Sequence, residues 1–158
     1  MKILRIVAIV LGVYVVLGLG IDAAIGRFQP QGGNTAVLRT LDAQGEAKDT
    51  VLGLLDNNGQ LWVESGHWFR GWYQRALANP DVELVRDSEV SAYRAVPVDT
   101  PEAVDTVTRL MGKGGGAGYW VGRTMLLWAP IKPVRLDPRE PRASWAARRR
   151  AASRRRSA

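Results

Sequence analysis

A chain of 158 residues with a formal charge of +7 has room for one ordinary domain, and its basicity points to a nucleic-acid or membrane partner until the charges are located along it. Eight arginines and a single acid, Glu140, follow Pro138, so the tail carries the whole +7 and residues 1–138 are neutral, with 14 bases against 14 acids. That balance gives little support to a nucleic-acid site in the domain, the lack of cysteine removes disulfides, zinc ribbons and thiol nucleophiles, and the single histidine, His67, cannot form a two-histidine metal site.

From Ile6 to Ile21 every residue is apolar or glycine, with Lys2 and Arg5 before the run and Asp22 and Arg27 after it. With Ala23, Ala24 and Ile25 added, the stretch nears the roughly 20 residues a helix needs to cross the hydrocarbon core. A cleaved signal peptide also begins this way, but no clean A-x-A site follows. The sequence therefore predicts a single-pass membrane protein with an anchor and linker over 1–32, a domain over 33–138 and an Arg-rich tail over 139–158. The basic residues on the two sides of the run nearly match, so the side on which the domain lies stays open.

After the linker at Pro30–Gly33, Thr35–Arg39 and Thr50–Leu55 read as strands. Asp56-Asn57-Asn58-Gly59 is a turn by its chemistry, and Gln60–Glu64 resumes as the hairpin partner with Trp62 pointing inward. Trp68, Phe69, Trp72, Tyr73, Ala76 and Leu77 fall at helical spacing, and Asn79-Pro80 closes that helix. A second hairpin follows, Asp81–Arg86 with Glu89–Val98 around Asp87-Ser88. Thr100-Pro101 is a helix start, with Ala103, Val104, Val107, Leu110 and Met111 on its buried face. The glycines from Gly112 to Gly118 are expected to end it, leaving Tyr119–Trp128 and Ile131–Asp137 as closing strands. Local hairpins in this order favour a mainly β, α+β fold, an antiparallel sheet or small barrel with appended helices.

Three segments carry a resemblance: Trp72-Tyr73-Gln74-Arg75-Ala76-Leu77-Ala78-Asn79-Pro80-Asp81-Val82, then Tyr93–Val98 running into Pro101, then Tyr119-Trp120 and Arg123 followed by Pro133–Pro138. Together they resemble the deazaflavin-dependent nitroreductases and quinone reductases, split β-barrels related to the FMN-binding pyridoxamine-phosphate-oxidase-like proteins. The resemblance implies a split barrel, F420 or FMN as cofactor, quinone-, nitro- or similar lipophilic acceptors, and pairing as a homodimer. The family's G-x-x-S-G-x-x-R segment is missing from Thr40–Thr50, where Lys48 is the only base. That departure leaves open a second reading, a split-barrel module that binds or assists at a membrane without catalysis.

A flavin-type site needs cations for phosphate and an apolar or aromatic wall for the ring, while the cofactor supplies the redox chemistry. Ser65, Gly66, His67, Arg70 and Arg75 cluster where a short helix is expected to begin, and free N–H groups there favour an anion. The same residues also read as an ordinary solvated helix face. Trp72 and Tyr73 suit a ring wall or plain core packing. Tyr119, Trp120 and Arg123 lie beyond the glycine run, where Tyr119 is a candidate to position or protonate a substrate, or all three are surface residues of a hairpin. For the Arg-rich tail, contact with anionic lipid is the simplest functional reading and RNA the runner-up.

Overall fold

The computed structural model describes residues 2–28, 33–66, 69–125 and 130–140. Its elements are α1 (Lys2–Phe28), β1 (Thr35–Leu41), β2 (Ala47–Gly53), β3 (Leu55–Asn57), β4 (Gln60–Ser65), α2 (Gly71–Ala78), β5 (Asp81–Arg86), β6 (Glu89–Pro97), α3 (Pro101–Met125) and β7 (Lys132–Pro138). The strands form one sheet in the order β2-β1-β5-β6-β7-β4-β3, every pair antiparallel. The sheet curls into a half-barrel, so that Thr50–Gly53 of β2 and Glu64 and Ser65 of β4, far apart in strand order, line one cavity.

Turn chemistry sets the hairpins. Asn58 (φ 55°) and Gly59 (φ 85°) adopt left-handed backbone between β3 and β4, and Asp56 Oδ1 accepts from Gly59 N at 2.7 Å. Asp87 (φ 49°) and Ser88 (φ 69°) do the same between β5 and β6. Period-two alternation then chooses the faces. Ala36, Leu38 and Thr40 of β1 are buried inward while their neighbours are half-buried.

Two apolar clusters flank the sheet. Inside the barrel, Leu38, Val63, Val82, Leu84, Ala95, Val134 and Leu136 meet Trp72, Tyr73 and Ala76 of α2. On the opposite face, Trp62 packs with Ala103 and Val107 of α3 and with Ile131. Strand β4 thus faces both clusters, Val63 into one and Trp62 into the other. Leu77, expected on the buried face of α2, is 47% exposed, and Trp68 lies outside the described residues.

The largest departure from expectation is α3. Its start is as predicted, with Ala103 N donating to Thr100 Oγ1 at 3.3 Å. The helical backbone breaks within the glycine run, as expected, but a second helical stretch follows the break, so Tyr119 to Met125 are helical rather than a strand. Gly116, at φ 53° and ψ −140°, makes that break. Close approach explains the glycines: a Cβ on Gly115 would stand 2.7 Å from the Tyr119 Cβ, and one on Gly112 would lie 3.6 Å from the Trp120 ring. Only β7 remains as a closing strand, and residues 126–129 lie outside the described set.

Helix α1 runs for 27 residues, and most of its described apolar side chains, among them Ile3, Leu4, Val10, Leu11 and Val16, stand exposed. Among the described residues no helix is long and apolar enough to cross a membrane. The Tyr14 hydroxyl donates to the Thr124 carbonyl, which ties α1 to the last turn of α3. The Arg-rich tail beyond Glu140 lies outside the described residues.

Candidate functional site

Two adjoining cavities open between β4, the segment before α2, and α3. The first, 260 Å³, is lined by Thr50–Gly53 and Leu55 from the early strands, by Glu64, Ser65 and Gly66, and by Arg70, Trp72 and Met111. The second, 180 Å³, is lined by Glu64, Gly66, Met111, Gly118, Tyr119, Gly122, Arg123 and Ile131. Neither alone reaches the roughly 300 Å³ at which small-molecule pockets begin, but they share Glu64, Gly66 and Met111 as walls, and together they do.

Several residues singled out from the sequence converge here. Ser65, Gly66, Arg70 and Trp72 line the first cavity, and Tyr119 and Arg123 line the second, one helical turn apart on α3. Ser65 is the last residue of β4, not part of a helix start, and α2 begins only at Gly71. The anion-binding helix terminus expected around Ser65–Arg70 is therefore a strand end and a connecting segment. Trp72 is 4% exposed, and its ring meets Tyr73 edge-on at 5.8 Å.

Other candidates lie elsewhere. Tyr73 is buried among the barrel-interior residues. Arg75 Nε donates to Thr40 Oγ1 at 2.8 Å, pinning α2 to β1, and burial lowers its pKa against the pull of Asp42. Trp120 is 45% exposed, with its ring 5.0 Å from that of Tyr119. His67 lies outside the described residues.

The segment joining β1 to β2 is closed on itself. Asp42 Oδ1 accepts from Gln44 N at 3.1 Å and from Glu46 N at 2.7 Å, and its other oxygen lies 3.4 Å from Lys48 Nζ. Those backbone hydrogen bonds, with the Lys48 side chain, hold the Asp42 carboxyl below the usual carboxylate range. Donors that would serve a ligand phosphate are spent on an internal carboxylate.

One wall residue escaped the sequence reading. Glu64 lines both cavities, and its Oε2 is shut off from solvent with no hydrogen-bond partner. Burial pushes its carboxyl above the usual range, while the Arg70 and Arg123 guanidiniums pull the other way. The buried Tyr119 hydroxyl likewise has no partner. A signal was present: Glu64 stands two residues from the buried Trp62, so strand periodicity puts a carboxyl on the same covered, α3-facing side.

The fit to a flavin-type group can be judged on these atoms. Arg70 is a cation at one cavity, Trp72, Leu55 and Met111 are an apolar wall, and two buried polar groups await partners in the other. The residues fit a ring with polar edges and at least one anionic arm. Among the described residues there is no cluster of three or more metal-ligating side chains.

No protein-family model matches the sequence, and no curated protein does. Solved structures do match in fold. An F420-H2-dependent reductase, FDR-A, is 18% identical with a TM-score of 0.53, over 66% of this chain and 94% of that one. A putative pyridoxamine 5'-phosphate oxidase from Listeria innocua is 13% identical with a TM-score of 0.52, over 78% and 94%. HutZ, a heme storage protein from Vibrio cholerae, is 17% identical with a TM-score of 0.50, over 68% and 83%. At such identities the likeness is one of fold, and the fold is the split barrel.

Proposed function

We propose that this chain is a membrane-anchored oxidoreductase that binds a flavin-type cofactor, F420 or FMN, and reduces lipophilic quinone-, nitro- or similar acceptors. The observation that carries the reading is the pair of adjoining cavities, with Arg70 at one and Arg123 at the other around a shared apolar wall. When bound, the cofactor supplies hydride or electron transfer. The chain's own residues do the rest. Arg70 neutralises an anionic arm, Trp72 and Met111 flank a ring, and Tyr119 orients an acceptor oxygen. Anchorage rests on the apolar run Ile6–Ile21 and the exposed side chains of α1, and it suits substrates dissolved in a bilayer. Homodimerisation is part of the same proposal.

A second reading is favoured by one observation. The loop over 42–48 spends its donors on Asp42, so the chain lacks a phosphate cradle there, as a non-catalytic accessory module would. Titration of the full chain in detergent with FMN and with F420, followed by absorbance and fluorescence, decides between them. The oxidoreductase reading expects saturable binding of one ligand, weakened about tenfold by Arg70→Ala, the loss of one charge-assisted contact. A folded chain that binds neither ligand selects the accessory module.

A further inference from the structure

Among the described residues Glu64 is the one titratable group common to both cavities, and nothing in the proposed function uses it. It sits on the α3-facing side of β4 with Trp62, between Arg70 from the segment before α2 and Arg123 from α3. Tyr119 is the remaining titratable group among the described residues that faces it, and the shared walls Gly66 and Met111 are uncharged. An ionised Glu64 carboxylate is costly here because its Oε2 has lost water without gaining a donor. A neutral carboxylic acid in the same place has a hydrogen to give and needs an acceptor, as does the unpartnered Tyr119 hydroxyl. Two buried donors lining one small apolar cavity define a ligand: an uncharged, mainly apolar molecule presenting a carbonyl-type oxygen.

We propose, resting on the oxidoreductase reading, that Glu64 is neutral in the resting site and is the catalytic acid of the second cavity, hydrogen-bonded with Tyr119 to the acceptor oxygen. With a quinone acceptor, one carbonyl oxygen receives a hydride equivalent from a bound reduced flavin or deazaflavin. The ring electrons shift to the second oxygen as the ring becomes aromatic, and that phenolate oxygen takes the proton of Glu64 to complete the hydroquinone. The Glu64 carboxylate left behind stands between the Arg70 and Arg123 charges until water reprotonates it. The arginines are thus suited to the ionised form that exists during turnover, and burial to the neutral form that exists before it.

The test is infrared difference spectroscopy on the full chain in detergent, first with no cofactor present. The expected result is a protonated-carboxyl C=O band at pH 7 that Glu64→Gln removes and that shifts when duroquinone is added. With cofactor loaded, Glu64→Gln should lower kcat by about 100-fold while leaving the cofactor titration unchanged, and Glu64→Asp should recover part of the loss. No such band at pH 7, a band indifferent to duroquinone, or an unchanged kcat overturns the proposal. Failure of the oxidoreductase reading is separate, since it appears as a wild-type chain that binds neither FMN nor F420.

Discussion

Two regions on one face of the curled sheet, β5 and the part of β4 under α3, hold buried polar groups in different company. On β5, Asp81 and Glu83 are almost completely buried, yet each has an arginine: Arg139 for Asp81, and Arg39 at 3.4 Å for Glu83. Arg39 in turn grips Asp49 through two hydrogen bonds of 2.7 and 2.9 Å, which raises its pKa further. Under α3, by contrast, the Trp62 indole nitrogen, Glu64 Oε2 and the Tyr119 hydroxyl are all buried and unpartnered. Where charges have ion-pair partners at one end of that face and polar atoms lack hydrogen-bond partners at the other, the second end marks where a ligand belongs. The β5 region should respond to substitution in stability, and the region under α3 in binding and turnover.

The largest stability loss is expected in the barrel interior. Leu38 is fully buried among β-strand side chains, so Leu38→Ala should cost about 3 kcal/mol in chemical denaturation. Arg39→Ala comes next. It takes the Arg39 charge from the Glu83 carboxyl, whose side chain is 1% exposed, although Arg39 itself is 26% exposed and the contact is correspondingly softened. A cost of about 2 kcal/mol is expected, below the range for a fully buried pair. Either variant, if folded, should titrate cofactor as the wild type does. A loss of binding without a loss of stability would break the division between the two regions.

Arg75 and Arg70 sharpen it. Arg75→Ala removes one hydrogen bond to Thr40, while the Thr40 hydroxyl keeps a contact to the Lys48 carbonyl at 3.3 Å. About 1 kcal/mol of stability should go, with cofactor affinity unmoved. Arg70→Ala should do the reverse. Equal effects on binding would mean that both arginines reach the ligand, as their closeness in sequence suggests.

That closeness shows how far the sequence could be read. Turn residues are legible because positive φ restricts the choice, so Asn58-Gly59 and Asp87-Ser88 announced their hairpins, and Thr100-Pro101 announced α3. The site was half legible. Residues 65–72 and 119–123 were flagged, but the first group was assigned to a helix start and the second to a strand. Glycine's poor helix propensity, about 1 kcal/mol per residue below alanine, argues that the helix ends within Gly112–Gly118, and its backbone does break at Gly116. The second helical stretch beyond the break was not legible, because it depends on the space that Gly112 and Gly115 leave for Trp120 and Tyr119. Gly115→Ala should therefore lower turnover by displacing Tyr119, with little change in denaturation midpoint.

The smallest effect is the most specific to the region under α3. Glu64 ionises near pH 4.3 in an unfolded chain and at higher pH in the folded one. Between those two values the folded state holds one more proton than the unfolded state, so stability falls as pH rises through that window. Below it both states are protonated, and the contribution is fully present. Above it both are ionised, and the contribution has gone. Exposed Asp42, lowered rather than raised, bends the total curve the other way at acid pH, so the quantity to compare is the difference between wild type and Glu64→Gln. The variant should become more stable relative to wild type as pH climbs from about 4.3, levelling off once folded Glu64 has ionised. A constant difference across that range would mean that Glu64 is charged in the empty site, and the contrast between the two regions would then be one of geometry without a proton to give.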